Sequence, residues 1–310
     1  MNVLVTGCTG FIGTALLERL RNEPEVTLRG AVRREVELPE GVGRVRVGEV
    51  SPETDWRSAL AGVETVVHLA ARVHVKSDTA ADPLAAFRHV NVGGTMNLAR
   101  QAAAEGVGRM VYLSSVKVNG ETGSFSESDP VSPQDAYAIS KHEAESGLRE
   151  IAGQTGMELV VVRPPLVYGP GVGANFARLM RAVERGVPLP LGMVHNRRSL
   201  VALENLVDFI VTCTKHPAAA GRTFFVSDSE NLSTTDLIRR LGRAMGRPVR
   251  LIPVPPTLLM TVATLAGRRD DAHRLLGTLE VDIANARRLL GWEPPIGVDE
   301  GLRQASNGRA

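Results

Sequence analysis

The 310-residue chain reads as an α/β protein, a doubly wound parallel sheet followed by a smaller C-terminal lobe. Three observations predict that class. Aliphatic and β-branched runs alternate with helical periodicity up to about residue 165. The first run ends in glycines spaced Gly7-x-x-Gly10-x-x-Gly13, the pattern of a strand that turns tightly into a helix. A later run, Val66-Val67-His68-Leu69-Ala70-Ala71, is nearly all apolar, as a parallel strand covered on both faces must be. Together they predict a Rossmann-type sheet over residues 1–165 and a second lobe over 166–310 that gives part of 200–226 back to the sheet.

Taken in order, the first helix carries Ala15, Leu16 and Leu20 on one face, with Glu18, Arg19 and Arg21 off it. The glycine turn before it lets the backbone come close to a pyrophosphate. The helix N-terminus then offers free N–H groups and a partial positive charge. The expected ligand is a dinucleotide, held at Gly7, Gly10, Phe11, Ile12 and Gly13. Residues 26–32 form a second strand ending in Arg33-Arg34. Arg33 stands about 20 positions past the glycines, where an acidic residue bonds a ribose 2′-hydroxyl or an arginine accepts a 2′-phosphate. It leans the cofactor, NAD(P), toward NADP; the alternative is a solvated surface arginine. A third strand spans 44–47, and Glu49, followed by Val50, is placed to accept from an adenine amino group. Leu69, Ala70 and Ala71 leave room for a cofactor across the strand ends, and His68 is expected in the core.

Asp82-Pro83 opens a helix whose stripe of Leu84, Phe87, Thr95, Leu98 and Ala102 includes the polar Asn91. A buried amide must find partners, so Asn91 is expected to tie this helix to a neighbouring strand end. The strand 109–113 ends in Ser114-Ser115, and a polar loop follows over 119–133. Ser132-Pro133-Gln134-Asp135 reads as a capping box opening the helix that carries Tyr137 and Lys141. A strand at 158–162 leads into Arg163-Pro164-Pro165. Beyond it the pattern loosens into helices at 176–184, 203–215 and 235–245 and a strand at 223–226. The apolar run 258–266 is too short to span a bilayer and reads as a buried helix.

Bulk properties narrow the function. At 43% hydrophobic and 23% charged residues with a net charge of +2, nothing marks a nucleic-acid or membrane partner. Cys8 and Cys213 make no disulfide framework, and Met1 leads straight into a strand, so a cytoplasmic protein is expected. The seven histidines are scattered, so no metal site is expected. Tyr137 and Lys141, four apart, share one helix face. An ammonium beside a phenol favours the phenolate, so the tyrosine exchanges a proton near neutral pH. Ser115, at a strand end, is in place to bond the same substrate oxygen.

These residues make the chain resemble the extended short-chain dehydrogenase/reductases, in particular their nucleotide-sugar epimerase branch. The matches are Thr6-Gly7-x-x-Gly10-Phe11-Ile12-Gly13, His68-Leu69-Ala70-Ala71, Asn91-x-Gly93-Gly94-Thr95, Ser114-Ser115, Tyr137-x-x-x-Lys141, Arg163-Pro164-x-x-Val167-Tyr168-Gly169 and Leu290-Gly291-Trp292-x-Pro294. The resemblance implies that Tyr137 is the catalytic acid/base, that Lys141 holds the nicotinamide ribose, and that Ser115 is the third catalytic member. It places Pro164 by the nicotinamide and adds Asn91 to the cofactor residues. It implies a nucleotide-sugar substrate held by Ser115, Lys117, Asn175, Arg198 and Arg274, with Asn175 and Arg198, and Arg274 as a second candidate, on its diphosphate. Asn119 stands where the family carries the tyrosine of Val-Tyr-Gly, a departure expected to reshape the sugar pocket. Val116-Lys117 replaces the Asp-Glu pair of the family's dehydratases, which argues against dehydration.

The implied activity is NAD(P)-dependent 4-epimerisation of a UDP-hexose or UDP-N-acetylhexosamine through a 4-keto sugar. The alternative is an NAD(P)H-dependent 4-keto-reductase of a UDP-deoxysugar, toward which Arg33 leans. A non-enzymatic dinucleotide sensor is the remote third reading, disfavoured by the intact Ser115, Tyr137 and Lys141. Family habit also implies a homodimer paired through helices at 82–104 and 136–151.

Overall fold

The computed structural model describes residues 1–73 and 82–308. The first half alternates strand and helix: β1 (Asn2–Thr6), α1 (Phe11–Leu20), β2 (Thr27–Val32), β3 (Val42–Arg46), α2 (Arg57–Leu60), β4 (Thr65–His68), α3 (Pro83–Phe87), α4 (Thr95–Ala104), β5 (Arg109–Leu113), β6 (Gly123–Phe125), α5 (Ala136–Thr155) and β7 (Glu158–Arg163). The second half contributes β8 (Leu166–Tyr168), α6 (Ala174–Glu184), β9 (Arg198–Ala202), α7 (Leu203–Lys215), β10 (Arg222–Phe225), β11 (Asn231–Leu232), α8 (Thr234–Ala244), α9 (Pro256–Leu265), α10 (Arg269–Leu276), β12 (Leu279–Val281), α11 (Ala284–Leu290) and α12 (Val298–Asn307).

Seven strands pair in parallel in the order β10-β7-β5-β4-β1-β2-β3. Alternate side chains of one strand face opposite layers. Val3 and Val5 pack with Leu16 and Leu17 of α1 and Phe209 and Ile210 of α7. Leu4, between them, packs with Leu98 of α4 and Leu148 of α5 on the other face. The strand order reverses between β1 and β4, so their C-terminal ends part and leave a crevice there. The second sheet, in the order β11-β9-β12-β6 with β8 beside β9, takes β6 from the polar loop of the first half. Its core gathers Tyr168, Phe176, Leu237, Ile238 and Leu302.

Three expectations are corrected. The stripe from Leu84 to Ala102 is not one helix: α3 gives way to a π turn over Arg88–Gly94 before α4 resumes. The helix of Tyr137 is not opened by a box from Ser132. It starts at Ala136, and the Asp135 carboxylate caps it by accepting from the Ala138 N–H at 2.7 Å. The apolar run 258–266 does form a helix, α9, but none of its residues is buried. Among the described residues no helix is long and apolar enough to cross a membrane.

Candidate active site

The crevice where the strand order reverses opens into a cavity of about 610 Å³. Its phosphate end is built by the turn after β1. Gly7 sits at φ +67°, and a Cβ there would lie 2.7 Å from the Ala70 nitrogen. A Cβ on Gly13 would run into the Gly7 carbonyl, so the turn closes only with glycine at both places. Gly10 is the N-cap of α1, and no side chain caps that helix. Phe11, Ile12 and Gly13 therefore present an uncapped helix start to the cavity they line. An uncapped positive end, approached over Cβ-free backbone, fits a pyrophosphate, so the residues present suit a dinucleotide.

At the far rim Arg33, Glu49 and Val50 line the same cavity. Arg33 donates to the Glu49 carboxylate at 3.3 Å, and the two side chains are 65% and 71% exposed. An exposed pair of this kind is worth little, so each partner is free to exchange it for a ligand.

The wall is the end of β4. Leu69, Ala70 and Ala71 line the cavity, and His68 lies behind them, fully buried. Its Nδ1 meets the Thr6 hydroxyl at 2.6 Å and its Nε2 meets the Thr95 hydroxyl at 2.9 Å. Burial, reinforced by the Lys141 charge, brings His68 down to about 3, so the ring stays neutral. The Thr6 hydroxyl also accepts from the Ala70 N–H at 3.2 Å, which joins β1 to the wall. Sequence reasoning placed His68 in the core but missed this relay.

Asn91 does not line the cavity. From the π turn its side chain accepts from the Arg72 N–H at 2.7 Å, donates to the Arg72 carbonyl at 3.0 Å and donates to Ser140 at 3.0 Å. Arg72 does line it. The amide ties a helix to the chain leaving β4, and its place among the cofactor residues is corrected to one that holds a cofactor wall.

Ser115, Tyr137, Lys141 and Pro164 converge at the reactive end of the cavity. Tyr137 is half-buried on the first turn of α5, with Phe87 edge-on at 6.1 Å between ring centres. Burial pushes its phenol up, the Asp135 carboxylate adds to that, and a hydrogen bond with Ser115 pulls it back. Lys141 itself is engaged with the strand end before Ser115. The Lys141 Nζ donates to the Leu113 carbonyl at 2.7 Å and stands 4.5 Å over the Tyr112 ring. Burial brings this ammonium down to about 7, against the raising effect of Glu145.

Glu145, one turn beyond Lys141, anchors a buried network that sequence reasoning missed. It accepts from Ser114 at 2.5 Å and from Arg163 at 2.9 and 2.5 Å. Burial works to raise its carboxyl, yet Arg163 and Ser114 hold it below the ordinary range. Arg163 also donates to the Asn119 side chain at 2.8 Å. Asn119 is thus buried behind the site and does not shape a sugar pocket, which corrects the expectation from its motif position. The signal for Glu145 was its spacing four residues past Lys141, on the same helix face.

Of the residues expected to hold the substrate, Lys117, Asn175, Arg198 and Arg274 lie outside the cavity. Three are linked: Lys117 pairs with Asp135 at 2.5 Å and Glu121 at 3.1 Å, Arg274 pairs with Glu121 at 2.8 Å, and Arg198 donates to the Arg274 carbonyl at 2.5 Å. Asn175 is exposed on the first turn of α6, accepting from Arg178. Among the described residues no group of three His, Cys, Asp or Glu side chains is arranged to hold a metal.

Comparison with known proteins bears on this site. A profile described as the NAD dependent epimerase/dehydratase family matches residues 3–226. A Vibrio cholerae protein named UDP-glucose 4-epimerase is 44% identical over 310 residues, covering 98% of this chain and 94% of that one. An Escherichia coli O157:H7 protein named N-acetyl-alpha-D-glucosaminyl-diphospho-ditrans,octacis-undecaprenol 4-epimerase is 28% identical over 84% of this chain and 77% of its own. The crystal structure of UDP-glucuronic acid 4-epimerase from Bacillus cereus in complex with NAD superposes with a TM-score of 0.81 at 20% identity, covering 99% and 98% of the two chains.

Proposed function

Because the chain belongs to the NAD-dependent epimerase/dehydratase family, we propose that it is an NAD-dependent nucleotide-sugar 4-epimerase. The observation that carries this reading is that Ser115, Tyr137 and Lys141 open into the same cavity as the glycine turn. The Vibrio cholerae relative supports a UDP-hexose as substrate. In this reading residues 1–165 hold the dinucleotide and 166–310, with Lys117, hold the sugar diphosphate through Asn175, Arg198 and Arg274. The buried, unpaired Cys8 and Cys213 support a reducing, cytoplasmic setting.

Held at the glycine turn and by Lys141 and Pro164, an oxidised dinucleotide would supply reversible hydride transfer at the sugar C4 and a positive charge that favours the phenolate. The chain's part is to move one proton. Tyr137 takes it from the C4 hydroxyl as the carbonyl forms and gives it back as the other epimer closes. Ser115 bonds the same oxygen in both states and steadies the phenol. Burial and the Asp135 carboxylate favour the protonated phenol, which suits the returning half of the cycle. Lys141, which the family resemblance places on the nicotinamide ribose, donates to the Leu113 carbonyl, and burial brings its ammonium down to about 7.

Arg33 favours a second reading, reduction of a 4-keto nucleotide sugar with NADPH, because a 2′-phosphate site suits a cofactor that exchanges at each turnover. Glu49, which repels a 2′-phosphate, weighs for NAD. The test is to denature the purified protein and identify the nucleotide released. NAD held near one per chain, with interconversion of UDP-glucose and UDP-galactose, supports the epimerase. An empty site that takes up NADPH reversibly overturns it in favour of the reductase.

A further inference from the structure

The geometry points to α9 and the arginines around it as a docking surface for an anionic lipid bilayer, and we propose that the protein adheres to one through this face. Leu258, Val262 and Leu265 recur at i, i+4 and i+7 and form one stripe. They are 52%, 58% and 84% exposed, while Leu259 on another side of the helix packs toward the second core. Ile252 and Leu275, in the flanking segments, are exposed as well. A helix this apolar in a globular protein is normally covered, and a contiguous exposed apolar surface marks a contact site.

The charge around it identifies the contact. Between Asp236 and Asp270 the chain carries seven arginines and no acidic residue, although its net charge is only +2. Arg239 and Arg240 are paired, with Asp236 and with Glu230 and Asp299. Arg243, Arg247, Arg250, Arg268 and Arg269 are exposed and make no ion pair among the described residues. Asp270 and Asp271, where acids resume, lie in the first turn of α10, where the helix dipole already favours them. An apolar stripe followed directly in the chain by the exposed Arg268 and Arg269, and preceded by Arg243, Arg247 and Arg250, is complementary to acyl chains under anionic headgroups. A second copy fits less well, since a two-fold contact would set these arginines against themselves.

At ten residues α9 is too short to span a bilayer, so it lies in the plane of the interface. It packs on α10, whose Arg274 holds Glu121, which in turn holds Lys117, two residues from Ser115. A chain of contacts thus runs from the docked helix to the segment that carries Ser115.

The test is flotation of the full chain with phosphatidylcholine vesicles, with and without phosphatidylglycerol. The chain is expected to float with the anionic vesicles at low salt, to be released by high salt and to ignore the neutral ones. Arg268→Gln with Arg269→Gln should weaken partition by about tenfold or more. Leu258→Ser with Leu265→Ser should do likewise, with dinucleotide binding and circular dichroism unchanged for both pairs. No flotation, equal flotation with neutral vesicles, or leucine variants that float as well as the parent would each overturn the proposal. Leucine variants that turn a dimer into a monomer, with no vesicle binding by either, would make the face a contact between copies and also sink it.

Discussion

Tyr137 is held between opposing influences, and its chemistry follows from how they balance. Phe87 stands edge-on to its ring, the Asp135 carboxylate lies near it and the Ser115 hydroxyl bonds it. Burial and the Asp135 carboxylate favour the protonated phenol, and the Ser115 bond opposes them. Proton removal therefore waits for positive charge to arrive, which couples acid/base chemistry to ligand binding. Tyr137→Phe removes only the hydroxyl. Turnover should fall by about 10²- to 10⁴-fold, while dinucleotide affinity, set mainly at the glycine turn, stays within a few-fold. Retained activity, measured by steady-state assay with fluorescence titration of the dinucleotide, would remove Tyr137 from its role. At the opposite end of the cavity the balance is between Arg33 and Glu49. Arg33→Asp leaves two carboxylates at the rim, so preference should move from NADP toward NAD. An unchanged ratio of the two dissociation constants would make Arg33 a surface residue only.

The element that most directly shapes the cavity wall is the π turn between α3 and α4. A regular helix would carry Asn91 along its stripe; the π turn aims it at the backbone of Arg72. Asn91→Leu fills similar volume but leaves the partly buried Arg72 N–H and carbonyl without those partners, at up to roughly 1–3 kcal/mol for each. The variant should melt several degrees lower and bind dinucleotide more weakly, because Arg72 lines the cavity. A thermal scan with and without NAD checks both, and an unchanged wall would show up as an unchanged ligand-induced shift. The sequence revealed that Asn91 needed partners but not the change of helical pitch, since its apolar stripe has the same spacing either way. The inner strands β1, β4, β5 and β7 were legible because two-sided burial writes itself as continuous apolar runs. Helix α9 was misread for the converse reason: Leu258, Val262 and Leu265 look the same in sequence whether the chain covers them or leaves them bare. Asn119 was misread because a motif position names a residue and not its neighbour, which here is Arg163. Proline at 133 drew the start of α5 forward, while the capping bond is made by Asp135.

At the scale of the molecule, the parting of β1 and β4 places every chemical group the site needs on a strand end or on a helix that follows one. The second sheet takes β6 from the first half and the large sheet takes β10 from the second, so neither half completes its sheet alone. That interleaving fixes Lys117, Glu121 and Arg274 relative to Ser115 and Tyr137 and makes a hinge between the halves an unneeded assumption. It also leaves α3, α4 and α5 packed side by side on one flank, well separated in sequence from α9. We propose that two chains pair there as a four-helix bundle, with the arginine-rich face left free. The flank already carries complementary charge: Arg88 grips the Glu143 carboxylate at 3.1 and 2.8 Å through its Nε, and both side chains are at least a third exposed or close to it, at 50% and 32%. Pairing would withdraw that bidentate bridge from water, where it gains strength so long as both partners remain. Light scattering should then give a mass twice 33.2 kDa. Glu143→Ala, which strands Arg88 in the contact, should move the population toward monomer, while Leu258→Ser with Leu265→Ser should not. A single species of 33.2 kDa for the parent chain would rule the pairing out.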